Sequence, residues 1–236
     1  MTDITTSMNF RLSVPDLYMT AKSHSNFDYI HLNSARIFSE HAYDIENNPK
    51  YIDDPQNAPE KIKVLYRSYV SSSIICSVSA LEAFINQFLL DNNDKLKTSP
   101  CSVNKQIKLK FKEFGRTLSK KKELLGQLGN APNALLKFEI IVFLLKHHFI
   151  PANSLKVNID GLIKVRNALI HFKPEWDNAF DKFKEIESFI SDKIIHNPFY
   201  SKTNNFFPYR CLSASCASWS VQNADEFIEQ FKSMMA

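Results

Sequence analysis

The sequence predicts an all-α protein, a helical bundle with a basic helical insertion and a C-terminal helix, and three observations point there. Only four glycines occur in 236 residues (Gly115, Gly126, Gly129 and Gly161), too few and too scattered for a tight-turned all-β domain or a phosphate-cradling nucleotide fold. Apolar positions recur at helical spacing over long stretches, and the prolines fall between those stretches. Hydrophobic content of 44% with nineteen phenylalanines argues against disorder, and a chain of this length can bury one good core. One domain over residues 26–236 is therefore expected, after a partly ordered arm at 1–25. Residues 91–132 read as an insertion and 196–236 as a C-terminal extension.

Taken in order, Phe27, Ile30, Ala35, Ile37, Phe38 and Ala42 define a first helix over Asn26 to Glu46, closed by Pro49, Pro55 and Pro59. Glu60 to Leu90 is apolar around most of its circumference, which predicts a central buried helix. After the insertion, Asn133 to Phe149 returns as an apolar helix ended by Pro151. A further helix runs from about Leu155 to Phe172, because Pro174 disfavours helical geometry at Lys173. Pro174 can itself open the next helix, Glu175 to Ile195. A loop with exposed-looking aromatics (Phe199, Tyr200, Phe206, Phe207) then leads to a last helix around Leu212 to Lys232.

The charge balance, 29 basic against 25 acidic residues, is too mild to mark a nucleic-acid binder overall, so any footprint must be local. The strongest local candidate is Lys105, Lys108, Lys110, Lys112, Arg116, Lys120, Lys121 and Lys122, set against the single acid Glu113 with apolar residues interleaved. It is read as an RNA-binding segment, although a solvated helix face would carry the same charges. The four cysteines form no C-x2-C pair, and Met1 to Thr5 lacks the basic-then-apolar pattern of a signal segment. No uninterrupted apolar run approaches the roughly 18 residues needed to span a bilayer. These features predict a cytoplasmic protein with no membrane partner, no metal site and no cofactor.

Chemistry concentrates in Val165-Arg166-Asn167-Ala168-Leu169-Ile170-His171. On a helix, Ile159, Leu162, Ile163 and Ile170 make one apolar stripe and Val165, Ala168, Leu169 and Phe172 another. Asp160, Lys164, Asn167 and His171 form a narrow polar seam. Arg166 falls among the apolar positions, where a charge is costly unless it is paired, and Glu82 on the central helix is the natural partner. Cleaving RNA without a metal needs a base, an acid and a cation at the phosphate. His171 can be the acid or base, Arg166 the bidentate clamp, and Asn167 can orient the ring or bond a phosphate oxygen. A structural ion pair and a histidine capping a helix end would account for the same residues without chemistry.

This run resembles the Arg-x4-His signature of the HEPN superfamily, in which a polar residue often follows the arginine. The stretch Ser79 to Asn86 is similar to the long second helix of many HEPN-type proteins. The resemblance covers residues 60–90 and 155–195. It implies a metal-independent endoribonuclease of a toxin or phage-defence system, leaving a 2′,3′-cyclic phosphate. It also implies a composite cleft between two domains, and so a homodimer, with an antitoxin or defence-system protein as a further partner. One departure stands out. Toxins of this group that are neutralised by a nucleotidyltransferase antitoxin carry a modified tyrosine two residues after the histidine, where this chain has Lys173. The alternative is a non-catalytic module of the same type that binds a nucleotide or a partner protein.

Other candidates are weaker. Arg36 to His41 repeats the spacing but has Ile37 in place of the polar follower. The adjacent His147 and His148 point in different directions from a helix and make a poor metal pair. Cys211 and Cys216 read as buried thiols, and Trp176 and Trp219 as core anchors.

Overall fold

A computed structural model describes residues 26–98, 134–145, 153–172 and 183–235. Every regular element among them is helical: α1 (Phe27–Glu46), α2 (Glu60–Asp91), α3 (Asn93–Thr98), α4 (Ala134–Leu145), α5 (Asn153–Ile170), α6 (Lys184–Ile190) and α7 (Ala214–Met235). A 3-10 turn lies at Pro55–Asn57, and a cis Phe207–Pro208 peptide lies in the irregular turn Phe206–Arg210.

The bundle is organised around α2, whose 32 residues give it a length of roughly 48 Å. Proline at 59 and Glu60 in the first turn start it, the carboxylate complementing the positive end of the helix dipole. Asn92 ends it by donating its side-chain amide to the Phe88 carbonyl at 3.0 Å. By length and composition α2 is apolar enough to span a membrane, although no unbroken apolar run predicts it, because the serines that interrupt it do not lower the average of a long window enough. Its inner face is buried by protein: Tyr66, Val70, Ile74, Val78, Leu81 and Ile85 are shielded by α1, α4, α5 and α7, while Val64, Leu65 and Leu90 are exposed. At the far end Phe84, Phe138 and Phe231 interlock, Phe84 and Phe231 edge to face at 5.7 Å and Phe138 and Phe231 at 4.9 Å. Each such pair adds about 0.5–1.5 kcal/mol beyond the area it buries.

The C-terminal helix is a core member and not an appendage, since Cys216, Ala217, Ala224, Phe227 and Phe231 have no exposed surface. Its first turn is tied down twice. Ser213 Oγ accepts the Cys216 N–H at 3.1 Å in the manner of an N-cap. The Ala214 N–H donates to Tyr66 Oη at 2.7 Å, while the Tyr66 hydroxyl in turn donates to Glu46 at the end of α1. Burial, then the neighbouring Glu46 carboxylate, pushes the Tyr66 phenol well above its ordinary value, so it stays a neutral donor.

Four expectations need correction. The aromatics of the 196–212 loop are largely inside: Phe199, Phe206 and Phe207 are buried, because Asn197 satisfies the loop backbone. Its amide donates to the carbonyls of Tyr209 (3.1 Å) and Leu212 (2.8 Å), and its carbonyl accepts the Phe199 N–H at 3.0 Å. The helix expected to reach Ile195 stops at Ile190, after which turns carry Ile194 inward and leave Ile195 exposed. The insertion expected from residue 91 begins with α3, whose Leu96 is fully buried and which packs on α4. Finally, the apolar stripes of α5 do not stay covered to its end, since Ile170 is 49% and Phe172 45% exposed.

Candidate functional site

The site is assembled where α5 leaves the bundle. Leu155, Ile159, Leu162 and Val165 are buried and anchor the helix, and the chain then rises into solvent at Asn167, Ile170, His171 and Phe172. The His171 N–H closes the last helical bond, to the Asn167 carbonyl at 2.9 Å. Beyond it, Phe172 lies 6.3 Å from the ring of Phe183 and 6.2 Å from that of Phe207, which fixes the path of the chain just after His171.

Arg166 is covered down to 16% of its side chain and is paired with Glu82, the partner its place among apolar residues calls for. Its other terminal nitrogen, Nη1, donates to Asn167 Oδ1 at 2.9 Å. Residues 166 and 167 project about 100° apart on a helix, so this bond turns the guanidinium toward the seam shared by Asn167 and His171. Those two residues are one turn apart on the same face and both are exposed. Two of the five guanidinium N–H groups are engaged by these bonds, leaving donors for an anion. The His171 side chain makes no hydrogen bond to any described residue. Below the seam, Lys164 is held between Asp160 (3.0 Å) and Glu185 (2.7 Å), and those hydrogen bonds hold its ammonium above the usual range against the opposing effect of burial.

One residue of the cluster is not among those the sequence singles out. Lys137 of α4 is only 4% exposed, and its Nζ donates to Asn86 Oδ1 at 2.7 Å, one turn along α2 from Glu82. Burial pulls its ammonium below the ordinary value, and the Glu82 charge works in the opposite direction. Glu82 is therefore paired with Arg166 and its charge also acts on Lys137. The available signal is Lys137 itself, a lone cation in the otherwise apolar run Leu135 to Phe138.

Among the described residues, the other histidines do not make sites. Arg36 is taken by Asp225 at 2.6 Å and by Asn33 at 3.0 Å, and His41 lies 5.1 Å from the Tyr69 ring, so the second Arg-x4-His match is dispersed into packing. His196 approaches Ser191 Oγ at 3.4 Å, but its Nδ1 faces Arg210 Nη2 at 3.3 Å. Since arginine can only donate, Nδ1 accepts, and the neutral ring's single proton sits on Nε2, facing Ser191. That arrangement cannot deprotonate a serine nucleophile. Cys211 and Cys216 are buried thiols; burial pushes Cys216 up to about 12, the wrong direction for a nucleophile. Trp219 is a core residue. Among the described residues no three of His, Cys, Asp and Glu cluster as a metal site. The basic segment Lys105 to Lys122, together with His147, His148 and Trp176, lies outside the described residues.

Comparison of the chain with protein-family models, curated proteins and solved structures finds no match.

Proposed function

We propose that the exposed end of α5 is the half-site of a metal-independent endoribonuclease of HEPN type, acting as a toxin or phage-defence effector. The observation that carries this reading is the gathering of a positioned guanidinium, an amide and an exposed imidazole where the end of α5 opens to solvent. Glu82 and Asn167 hold the Arg166 fork, so it meets a phosphate without first losing side-chain freedom. His171, one turn above Asn167, exchanges protons with the 2′-hydroxyl or the leaving 5′-oxygen. In-line displacement requires groups on both sides of the phosphorus, and one helix end supplies one side. A second copy of the chain facing the first completes the cleft.

The test is incubation of the purified protein with total RNA and with tRNA in EDTA, beside His171→Ala and Arg166→Ala. Cleavage leaving a 2′,3′-cyclic phosphate, lost in both variants, supports the reading; strict dependence on magnesium or manganese refutes it. The alternative, a non-catalytic module binding nucleotide or protein, is favoured by the same ion pair, since an arginine exposed over 16% of its side chain is largely committed to Glu82. Tight dimerisation without cleavage would select it.

A further inference from the structure

We propose that a second, separate site for a phosphate group lies at the opposite half of α2, in the groove between that helix and the end of the 196–212 loop. Val64, Arg67, Ser68, Ser71 and Ser72 recur at helical spacing, and with Leu212 they line an open groove of about 400 Å³, room for a ligand of nucleotide size. Arg67 and Glu82 are fifteen residues apart, roughly 22 Å along the helix, so this groove does not belong to the Arg166 cluster.

The groove is furnished for an oxyanion in two ways. First, Arg67 is held rigidly but underused. Its guanidinium packs over the rings of Tyr200 (5.3 Å) and Tyr209 (5.7 Å), while its Nε is buried with no hydrogen-bond partner. Its described carboxylate partner is Glu60 at 3.7 Å, on a side chain 71% exposed, an ion pair too long and too solvated to hold the fork against a dianion. Second, Ser71 and Ser72 stand one turn further along with hydroxyls that bond no described residue, whereas Ser68 spends its proton on the Val64 carbonyl at 2.9 Å.

A tetrahedral oxyanion accepting from the terminal nitrogens of Arg67 and from the two free serines fits this lining, and a planar fork beside hydroxyl donors matches phosphate better than a point charge would. The same phosphate chemistry reaches the groove from a free mononucleotide or from the backbone of single-stranded RNA.

Calorimetric titration of the full chain with inorganic phosphate, AMP, adenosine and a short single-stranded RNA bearing 2′-O-methyl sugars tests this without interference from cleavage. Saturable binding of phosphate-bearing probes is expected. Arg67→Gln and Arg67→Lys should weaken it by about tenfold or more, the scale of a charge-assisted hydrogen bond. The double variant Ser71→Ala/Ser72→Ala, which removes only two free hydroxyls and so leaves the packing intact, should weaken it severalfold. Binding of AMP alone identifies a free nucleotide as the source; binding of RNA alone identifies chain phosphates. Absence of binding by any probe overturns the proposal. So do equal affinity for adenosine and AMP, unchanged affinity in the serine variant, and loss of binding in Arg166→Ala, which would assign the signal to the end of α5. Failure of the nuclease reading shows as absent cleavage and leaves these titrations untouched.

Discussion

Removing Glu82 should cost more stability than removing the arginine it pairs with. The side chains of Arg166 and Glu82 are 16% and 35% exposed, placing the pair between surface ion pairs, worth about 0–1 kcal/mol, and buried ones, whose disruption costs about 3–5 kcal/mol. A coupling of about 1–3 kcal/mol follows. Lys137 makes the two truncations unequal. Arg166→Ala leaves Glu82 near the Lys137 ammonium on which its charge acts, whereas Glu82→Ala removes the carboxylate that pairs with Arg166 and also favours the Lys137 charge. Arg166→Ala should therefore cost about 1–2 kcal/mol and Glu82→Ala about 2–4 kcal/mol. The pH dependence carries a second signature. Because the Lys137 ammonium is pulled down in the fold, the unfolded chain holds that proton more tightly, so stability rises with pH from the lowered value toward the ordinary 10.5. Without Glu82 the window should extend to lower pH. Urea unfolding followed by far-ultraviolet circular dichroism, over wild type, both single variants and the double variant, closes the cycle. A coupling below about 0.5 kcal/mol, or an Arg166 truncation as costly as that of Glu82, would refute the shared-carboxylate argument.

Four further outcomes are expected. In EDTA, His171→Ala and Arg166→Ala should each slow RNA cleavage by about a hundredfold or more while Arg36→Ala does not, as read by gel from initial rates. Cys216, held at about 12 against an ordinary 9.0, binds its proton more tightly in the fold, so its contribution is complete below pH 9.0 and is lost as pH rises toward 12, at up to about 1.4 kcal/mol per unit. Unfolding of Cys216→Ala should show a shallower alkaline decline, and identical slopes would contradict this. Gly161→Ala should stabilise the protein by about 0.5–1 kcal/mol, because a Cβ there meets Phe189 and Ile190 at ordinary van der Waals distances of 3.5 and 3.6 Å inside a helix; a lowered Tm would show that α5 and α6 cannot accept it. Replacing Lys120, Lys121 and Lys122 by glutamine should flatten the salt dependence of RNA binding by roughly 0.7 in log–log slope for each phosphate that is no longer neutralised, and an unchanged slope would assign that segment to a solvated face.

The sequence by itself determined the helices and the partner of Arg166. Periodicity and proline placement locate α1, α2, α5 and α7 to within a few residues, because helix spacing and backbone blocks are local properties that each segment carries alone. Glu82 was legible for a different reason: a guanidinium among apolar residues needs a carboxylate, and α2 offers one on its polar line. Tertiary structure decided what local pattern cannot encode. Lys137 joins the cluster because α4 packs across α2, bridging 51 residues of sequence; the lone cation in an apolar run is visible in α4, but the partner it meets is not. The aromatics of the 196–212 loop turn inward because the single buried side chain of Asn197 satisfies carbonyls twelve and fifteen residues away. The end of α5 opens to solvent because no described helix extends far enough to cover Ile170 and Phe172. From its place on α2 Arg67 reads as an ordinary surface charge, and only the returning Tyr200 and Tyr209 enclose it. Burial depends on what the rest of the chain brings alongside, and that depends on packing between segments distant in sequence.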